Sequence, residues 1–203
     1  MPFHLILPVF LYFCTYINCW SMEESLFLIK WYGPFVSRED ERIWEKEQSF
    51  NCSLYLLHGK LKYAKSREHY YCGESTRNIY KRLSDKNHHI KELEQRLNSI
   101  YVGCISNIKR PTRAQIMLAE KIITAYLPEE VSEECLLNAT NTLYPNKTVY
   151  VINEWWKPEG NTLWERQPSN APSSIIPDVL AYHYNGTNDF ILYGCKKLKK
   201  LIE

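Results

Sequence analysis

The sequence predicts an α+β fold that ends in a β-rich extension. Three short apolar segments bounded by turn residues are typical of strands, and stretches with apolar residues three and four positions apart are typical of helices. From Thr148 onward aromatic and polar residues alternate, as they do along half-buried strands. The chain of 203 residues is long enough for one core domain with additions, or for two small domains.

The first 21 residues form an apolar leader without charged groups. The leader lacks the basic start and the small-residue cleavage site of a secretory signal, and it is short for a membrane span. We expect that Met22 is the true first residue and that the protein is cytoplasmic. Seven scattered cysteines without a C-x-x-C pair agree with free thiols in a reducing compartment. Membrane attachment through residues 1–20 is the alternative.

Residues 22–50 are expected to form an N-terminal lead. A strand-like segment from Leu26 to Tyr32 is followed by a Gly33-Pro34 turn and then by an acidic helix. Ser37 is the expected N-cap of this helix, and Glu39 and Asp40 favour its positive start.

Residues 51–145 are expected to form the core domain, and residues 146–203 the β-rich extension. The first two strands of the core should pair as a hairpin, and a helix with a broad apolar stripe should close the domain. The predicted elements are, in order, strand Cys52–Leu57, strand His69–Gly73, a helix capped by Ser75 or Thr76 and ending near Leu83, helix Ile90–Ser99, strand Ile100–Ile105, and a helix from Pro111-Thr112 to Pro128.

Charge is distributed unevenly along the chain. The formal net charge is only +2, but the segment from His58 to Lys121 has fourteen Lys and Arg residues against six Asp and Glu residues. A basic segment between acidic flanks suits a polyanion bound across one surface. A solvated lysine-rich face is the other interpretation of the same count.

Two tyrosine-containing tripeptides lie in the predicted hairpin, Ser53-Leu54-Tyr55 and Tyr71-Cys72-Gly73. An ordered set of polar residues follows them: Arg82, the pair His88 and His89, Glu120 within the long helix, and Asn138 after it. The ordered set resembles the GIY-YIG nuclease family over about ninety residues, from Cys52 to Asn138. Ser53 stands in place of the family's first glycine, and Cys72 in place of a branched apolar residue.

The resemblance implies a small three-stranded antiparallel sheet flanked by helices, with the site residues converging on one face. It also implies a metal-dependent endonuclease that hydrolyses DNA phosphodiester bonds. Under this resemblance Tyr55 is the general base, Tyr71 positions the water or the phosphate, and Glu120 binds the metal.

The residue types support the same chemistry. Glu120 offers a hard oxygen ligand to Mg²⁺ or Mn²⁺, and Arg82 offers a planar donor fork for phosphate oxygens. His88, favoured over His89, can donate to phosphate or relay a proton. For Tyr55 to act as a base, nearby cations must lower its pKa from the usual value of about 10.

We expect DNA as the partner and no small-molecule cofactor. The residues predicted to contact DNA are Lys60, Lys62, Lys65, Arg77, Lys81 and Asn138. One rival function is a nucleic-acid-binding module of the same fold that does not cut. The other is a membrane-attached or exported protein, which depends on the leader alone.

Overall fold

The computed structural model describes residues 24–63, 66–138, 145–159, 162–164, 172–186 and 190–195. The leader and Lys65 lie outside the described residues. Seven strands form one mixed sheet in the order β3-β2-β4-β1-β5-β6-β7. The strands are β1 (Ser25–Phe35), β2 (Leu54–Gly59), β3 (His69–Glu74), β4 (Leu97–Ile105), β5 (Val149–Trp156), β6 (Val179–Tyr184) and β7 (Phe190–Cys195).

Five helices accompany the sheet within the described part of the chain. They are α1 (Arg38–Glu47), α2 (Ile79–Leu83), α3 (Ile90–Leu93), α4 (Arg113–Glu130) and α5 (Pro172–Ile175), with 3₁₀ turns at Glu94–Arg96 and Glu133–Cys135. The predicted α+β class is therefore confirmed. None of these helices is long and apolar enough to cross a membrane.

The expected small three-stranded sheet is wrong in extent. Strands β3, β2 and β4 are adjacent and antiparallel, but they form only one end of the seven-stranded sheet. The reason is β1, which pairs antiparallel with β4 on one side and parallel with β5 on the other. Strand β1 continues through Gly33-Pro34, and its register shifts between Tyr32 and Phe35 where a turn had been expected.

Buried polar contacts join β1 to the C-terminal strands. The Trp31 indole donates from Nε1 to Asn153 Oδ1 at 2.8 Å, and Asn153 donates from Nδ2 to the Pro177 carbonyl at 2.9 Å. Trp31 also stacks on Trp155 with ring centroids 5.8 Å apart. Because a buried amide without partners is costly, Asn153 fixes how the extension is attached to the sheet.

Alternation along the strands separates two hydrophobic cores. Leu54 and Leu56 of β2 face α4, whereas Tyr55 and Leu57 face α1, α2 and α3. The same alternation places Cys72 of β3 in the α4 core. The candidate catalytic tyrosines therefore lie on the face opposite to α4.

The predicted helices differ from the structure mainly in length. The segment expected as one helix from Ile90 to Ser99 is a single turn and a 3₁₀ turn, and β4 begins at Leu97, because Leu97 already pairs with Gly59 of β2. The N-cap of α2 is Asn78 instead of Ser75 or Thr76. The long helix begins at the predicted place, where Thr112 and Gln115 form a capping box.

Candidate active site

The two tyrosines of the hairpin meet on one face of the sheet. Tyr55 on β2 is fully buried, and Tyr71 on β3 is half-buried. Their ring centroids are 5.9 Å apart, because Tyr71 pairs with Leu57 and so lies diagonally across from Tyr55. Gly73 is the strand partner of Tyr55, and a Cβ added to Gly73 would collide with the ring and the hydroxyl of Tyr55.

This contact gives a first testable prediction. The variant Gly73→Ala should lose cleavage and lower the free energy of unfolding by about 1–3 kcal/mol, the usual cost of overpacking. Gly103→Ala is the matched control, because its Cβ would lie 2.7 Å from the Trp31 ring on the opposite face. Both variants should melt earlier, but only Gly73→Ala should lose activity at temperatures where it stays folded. Equal activity of the two variants would contradict the role of Gly73.

His88 is the direct partner of Tyr55. His88 Nε2 lies 2.7 Å from the Tyr55 hydroxyl oxygen, and the contact is buried. His88 Nδ1 accepts from the backbone N–H of Ile90 at 3.0 Å, so the proton of the neutral ring must be on Nε2. Burial and the charge of Arg82 lower the pKa of His88 to about 4, so the ring is neutral at physiological pH. His88 therefore donates a hydrogen bond to the Tyr55 oxygen.

His89 is placed differently from its neighbour. Its ring packs against Tyr71 with centroids 5.0 Å apart, and its Nδ1 lies 2.6 Å from Oε1 of Glu92. The side chain is exposed and does not reach Tyr55. The preference for His88 over His89 thus agrees with the geometry.

The pKa of Tyr55 departs from the expectation. Burial raises it, the charge of Tyr71 adds to this, and Arg82 only partly opposes the increase. The expectation that nearby cations lower the pKa of Tyr55 is therefore wrong for the protein without metal or DNA. Burial also raises the pKa of Tyr71. The interaction between the two hydroxyls adds to the increase at Tyr55 and opposes it at Tyr71, the sense expected when Tyr55 is the donor.

Arg82 lies on α2 beside the tyrosines. Its Nη1 donates to Asp85 Oδ2 at 2.9 Å, and the same carboxylate oxygen also accepts from Arg77. The charge of Arg82 acts on both tyrosines and on His88. Asp85 holds the guanidinium of Arg82 at the site, where a phosphate oxygen can be its second partner.

Glu120 lies on α4, on the other side of the sheet from the tyrosines. It is only 6% exposed, its backbone carbonyl accepts from Thr124 Oγ1 at 2.9 Å, and its carboxylate makes no hydrogen bond or ion pair within the described part of the chain. Burial and then the charge of Glu74 raise its pKa to about 7. Burial raises the pKa of Tyr71, and the charge of Glu120 makes a smaller contribution in the same direction. Glu120 therefore interacts electrostatically with Glu74 and Tyr71, while the other four site residues share one face.

Glu120 fits the predicted metal-binding role by its chemistry. A buried carboxylate without hydrogen bonds is an oxygen ligand that Mg²⁺ can use together with several waters, and Glu74 supplies a second carboxylate nearby. Clusters of three or more His, Cys, Asp or Glu residues with metal-site geometry do not occur among the described residues.

Sequence reasoning missed Arg38 of α1. Its charge contributes to the low pKa of His88, its Nη2 donates to Ser84 Oγ at 2.5 Å, and its guanidinium lies over the Tyr80 ring. No local signal could have revealed this residue, because α1 had been assigned to a separate lead.

Asn138 is engaged with the backbone of β3. Its Oδ1 accepts from the Cys72 N–H at 2.7 Å, and its Nδ2 donates to the Cys72 carbonyl at 2.5 Å. Leu137 N–H also donates to the Tyr70 carbonyl at 3.0 Å. The amide of Asn138 therefore extends the edge of β3 next to Tyr71, which argues for positioning over the predicted DNA contact.

Asn138→Ala tests this position. Asn138→Ala should lower the free energy of unfolding by about 1–3 kcal/mol, because the β3 edge loses two hydrogen bonds. The cleavage rate should also fall, because Tyr71 is then held less firmly in position. The salt dependence of DNA affinity should stay unchanged. Lys81→Ala is the control, with an unchanged melting temperature and a log–log salt slope smaller by about 0.9. A changed slope in Asn138→Ala would restore the direct DNA contact.

The predicted DNA-contacting cations border the site. Lys81 is exposed on α2, and Arg77 is exposed and bound to Asp85. Lys60 Nζ lies 3.1 Å from Glu68 Oε1, and Lys62 Nζ lies 5.3 Å from the centroid of the Tyr63 ring. Lys60 and Lys62 lie in the β2–β3 loop, Arg77 lies just before α2, and Lys81 lies on α2.

No match to this chain was found among protein-family models, curated proteins or solved structures.

Proposed function

We propose that this protein is a metal-dependent endonuclease that hydrolyses DNA phosphodiester bonds at the site around Tyr55. The observation that carries the proposal is the buried hydrogen bond between Tyr55 and His88, with Tyr71 and Arg82 beside it. A neutral histidine that donates to a phenol oxygen stabilises the phenolate form, which is the form a tyrosine base needs.

The residues divide the reaction between them. Tyr55, as phenolate, accepts a proton from the attacking water, whose oxygen forms the new bond to phosphorus. The bond from phosphorus to the 3′ oxygen breaks, and the departing 3′ oxygen takes a proton from solvent water. Tyr71 orients the water or the phosphate, and Arg82 binds a phosphate oxygen. Glu120 would hold Mg²⁺ or Mn²⁺ together with waters, and Glu74 would be the second carboxylate to assist. When bound, the cation supplies positive charge to the phosphate and favours the anionic forms of nearby acids.

A second function is favoured by the burial of Tyr55. The high pKa of this residue suits a protein of the same fold that binds nucleic acid without cutting it. The two functions share the basic surface and differ only in turnover.

A cleavage assay separates these functions. The full chain is incubated with supercoiled, linear, branched and single-stranded DNA in Mg²⁺, Mn²⁺ or EDTA, and binding is measured on the same DNA. Cleavage that needs the metal and falls by about 10²- to 10⁴-fold in Tyr55→Phe supports the endonuclease. Binding without cleavage of any of these substrates supports the silent module instead.

A further inference from the structure

A cleft opens beside the candidate site, between the β2–β3 loop and α3. Its volume is about 680 Å³, and it is lined by Leu61, Lys62, Tyr63, Ser66, Arg67, His69 and Glu92. Pockets of this size accommodate ligands as large as a nucleotide. We call it the hairpin cleft.

The exposed ring of Tyr63 is the feature of the hairpin cleft that indicates a ligand-binding role. Its side chain is 87% exposed, the highest value among the large hydrophobic side chains that the structure describes as exposed. Lys62 places its ammonium 5.3 Å from the ring centroid. Arg67 also lines the cleft, and its guanidinium is paired with Glu134. An exposed aromatic ring beside a lysine is the arrangement that stacks on a nucleic-acid base and attracts its phosphates.

The hairpin cleft lies next to the candidate site. His69 of the cleft and Tyr71 of the site are two positions apart on β3 and so point to the same face. On the other wall, Glu92 contacts His89, whose ring packs on Tyr71. A strand bound at Tyr71 can therefore continue into the cleft within one or two nucleotides.

The stacking geometry restricts which DNA can bind there. In a duplex both faces of a base are covered by its neighbours, so a ring such as Tyr63 can stack only on a base that has left the helix or lies at an end. From this geometry we infer that the hairpin cleft binds an unpaired base adjacent to the scissile phosphate. The preferred substrates are then duplexes with single-stranded extensions or branches. The inference rests on the proposed function for the location of the scissile phosphate.

Binding in EDTA tests the cleft without cleavage. Anisotropy of labelled DNA is measured with the full chain, on a blunt duplex and on the same duplex with a single-stranded extension of about ten nucleotides. Tyr63→Ala should weaken binding of the extended duplex by about 5- to 100-fold, because a stacked base contributes to that order, and should change binding of the blunt duplex by less than about twofold. Tyr63→Phe keeps the ring and should bind like the wild type.

Ile43→Ala is the control, since Ile43 is another exposed hydrophobic residue but lies on α1. A 2-aminopurine at the first unpaired position should be quenched by the wild type and not by Tyr63→Ala. Equal losses on both duplexes, or no loss, would overturn the inference. If the wild type cuts DNA and Tyr63→Ala loses equal affinity for both duplexes, only the inference about the cleft is wrong. If no DNA is cut but Tyr63→Ala still loses affinity only for the extended duplex, the cleft binds an unpaired base and the proposed nuclease function is wrong.

Discussion

Glu120→Gln is expected to abolish cleavage in Mg²⁺ while DNA affinity stays near the wild-type value. The substitution keeps the size and the helix propensity of the side chain but removes the anionic oxygen proposed to hold the metal. DNA affinity should persist because it depends on the basic surface. Single-turnover cleavage and equilibrium binding, measured on the same DNA, check the two parts separately.

Glu129→Gln is the matched control, because Glu129 is exposed on the same helix. It should cut at the wild-type rate. Substantial cleavage by Glu120→Gln at saturating Mg²⁺ would place the metal elsewhere, with Glu74 and Asp85 as the next carboxylates to replace.

Glu120→Gln should also change how the free energy of unfolding depends on pH. The pKa of Glu120 is raised from 4.5 to about 7, so the folded state binds its proton more tightly than the unfolded state does. The free energy of unfolding should therefore fall as pH rises from about 4.5 to 7, and the loss should be complete above the folded pKa. Glutamine does not ionise, so Glu120→Gln without metal should gain roughly 2–4 kcal/mol relative to the wild type between pH 4 and pH 8. If the free energies of unfolding of the wild type and of Glu120→Gln changed with pH in parallel, the pKa of Glu120 would not be raised in the folded state.

The parts of the fold that were predictable are those with local signals. The β2–β3 hairpin follows from two apolar runs around a basic loop, and the start of α4 follows from Thr112 and Gln115. The place of β1 could not be predicted in this way. Its partners lie at residues 97–105 and 149–156, and Gly33-Pro34 has the local signature of a turn although the strand continues through it.

The candidate site shows the same division. Tyr55, Tyr71, Arg82 and His88 were named from their order, and they meet because α2 and the turn after it follow β3 directly and pack on one face. Glu120 was grouped with them, yet α4 packs on the opposite face, where Cys72 lies. Only the long-range packing determines how the charge of Glu120 acts on Tyr71. The backbone contact of Asn138 likewise depends on a segment that returns to β3 after α4.

Tyr55→Phe is expected to lower the single-turnover cleavage rate by about 10²- to 10⁴-fold, the usual contribution of general-base catalysis. The ring remains, so packing against Gly73 is retained. The lost oxygen leaves the Nε2–H of His88 without its acceptor, which should lower the free energy of unfolding by about 1–3 kcal/mol. Tyr71→Phe should cost less activity, because its proposed role is orientation.

The pH dependence separates a phenol base from other bases. Because burial raises the pKa of Tyr55, the phenolate is a minor form throughout the neutral range. Above pH 7, where Glu120 is ionised, the logarithm of the wild-type rate should rise with a slope near one and without a plateau up to about pH 9. In Tyr55→Phe this rise should disappear. A histidine base with the low pKa of His88 would give a flat profile in the same range.

A near-normal rate and an unchanged pH profile in Tyr55→Phe would show that Tyr55 is not the general base. The comparison with His88→Ala then identifies the group that takes the proton. In the proposed arrangement His88 donates to Tyr55, so its removal should slow cleavage less than the loss of the base itself and should keep the slope above pH 7. A larger loss in His88→Ala than in Tyr55→Phe, together with a flat profile, would assign the base to His88. That outcome requires the ring to give up its hydrogen bond from the Ile90 N–H or to change its tautomer.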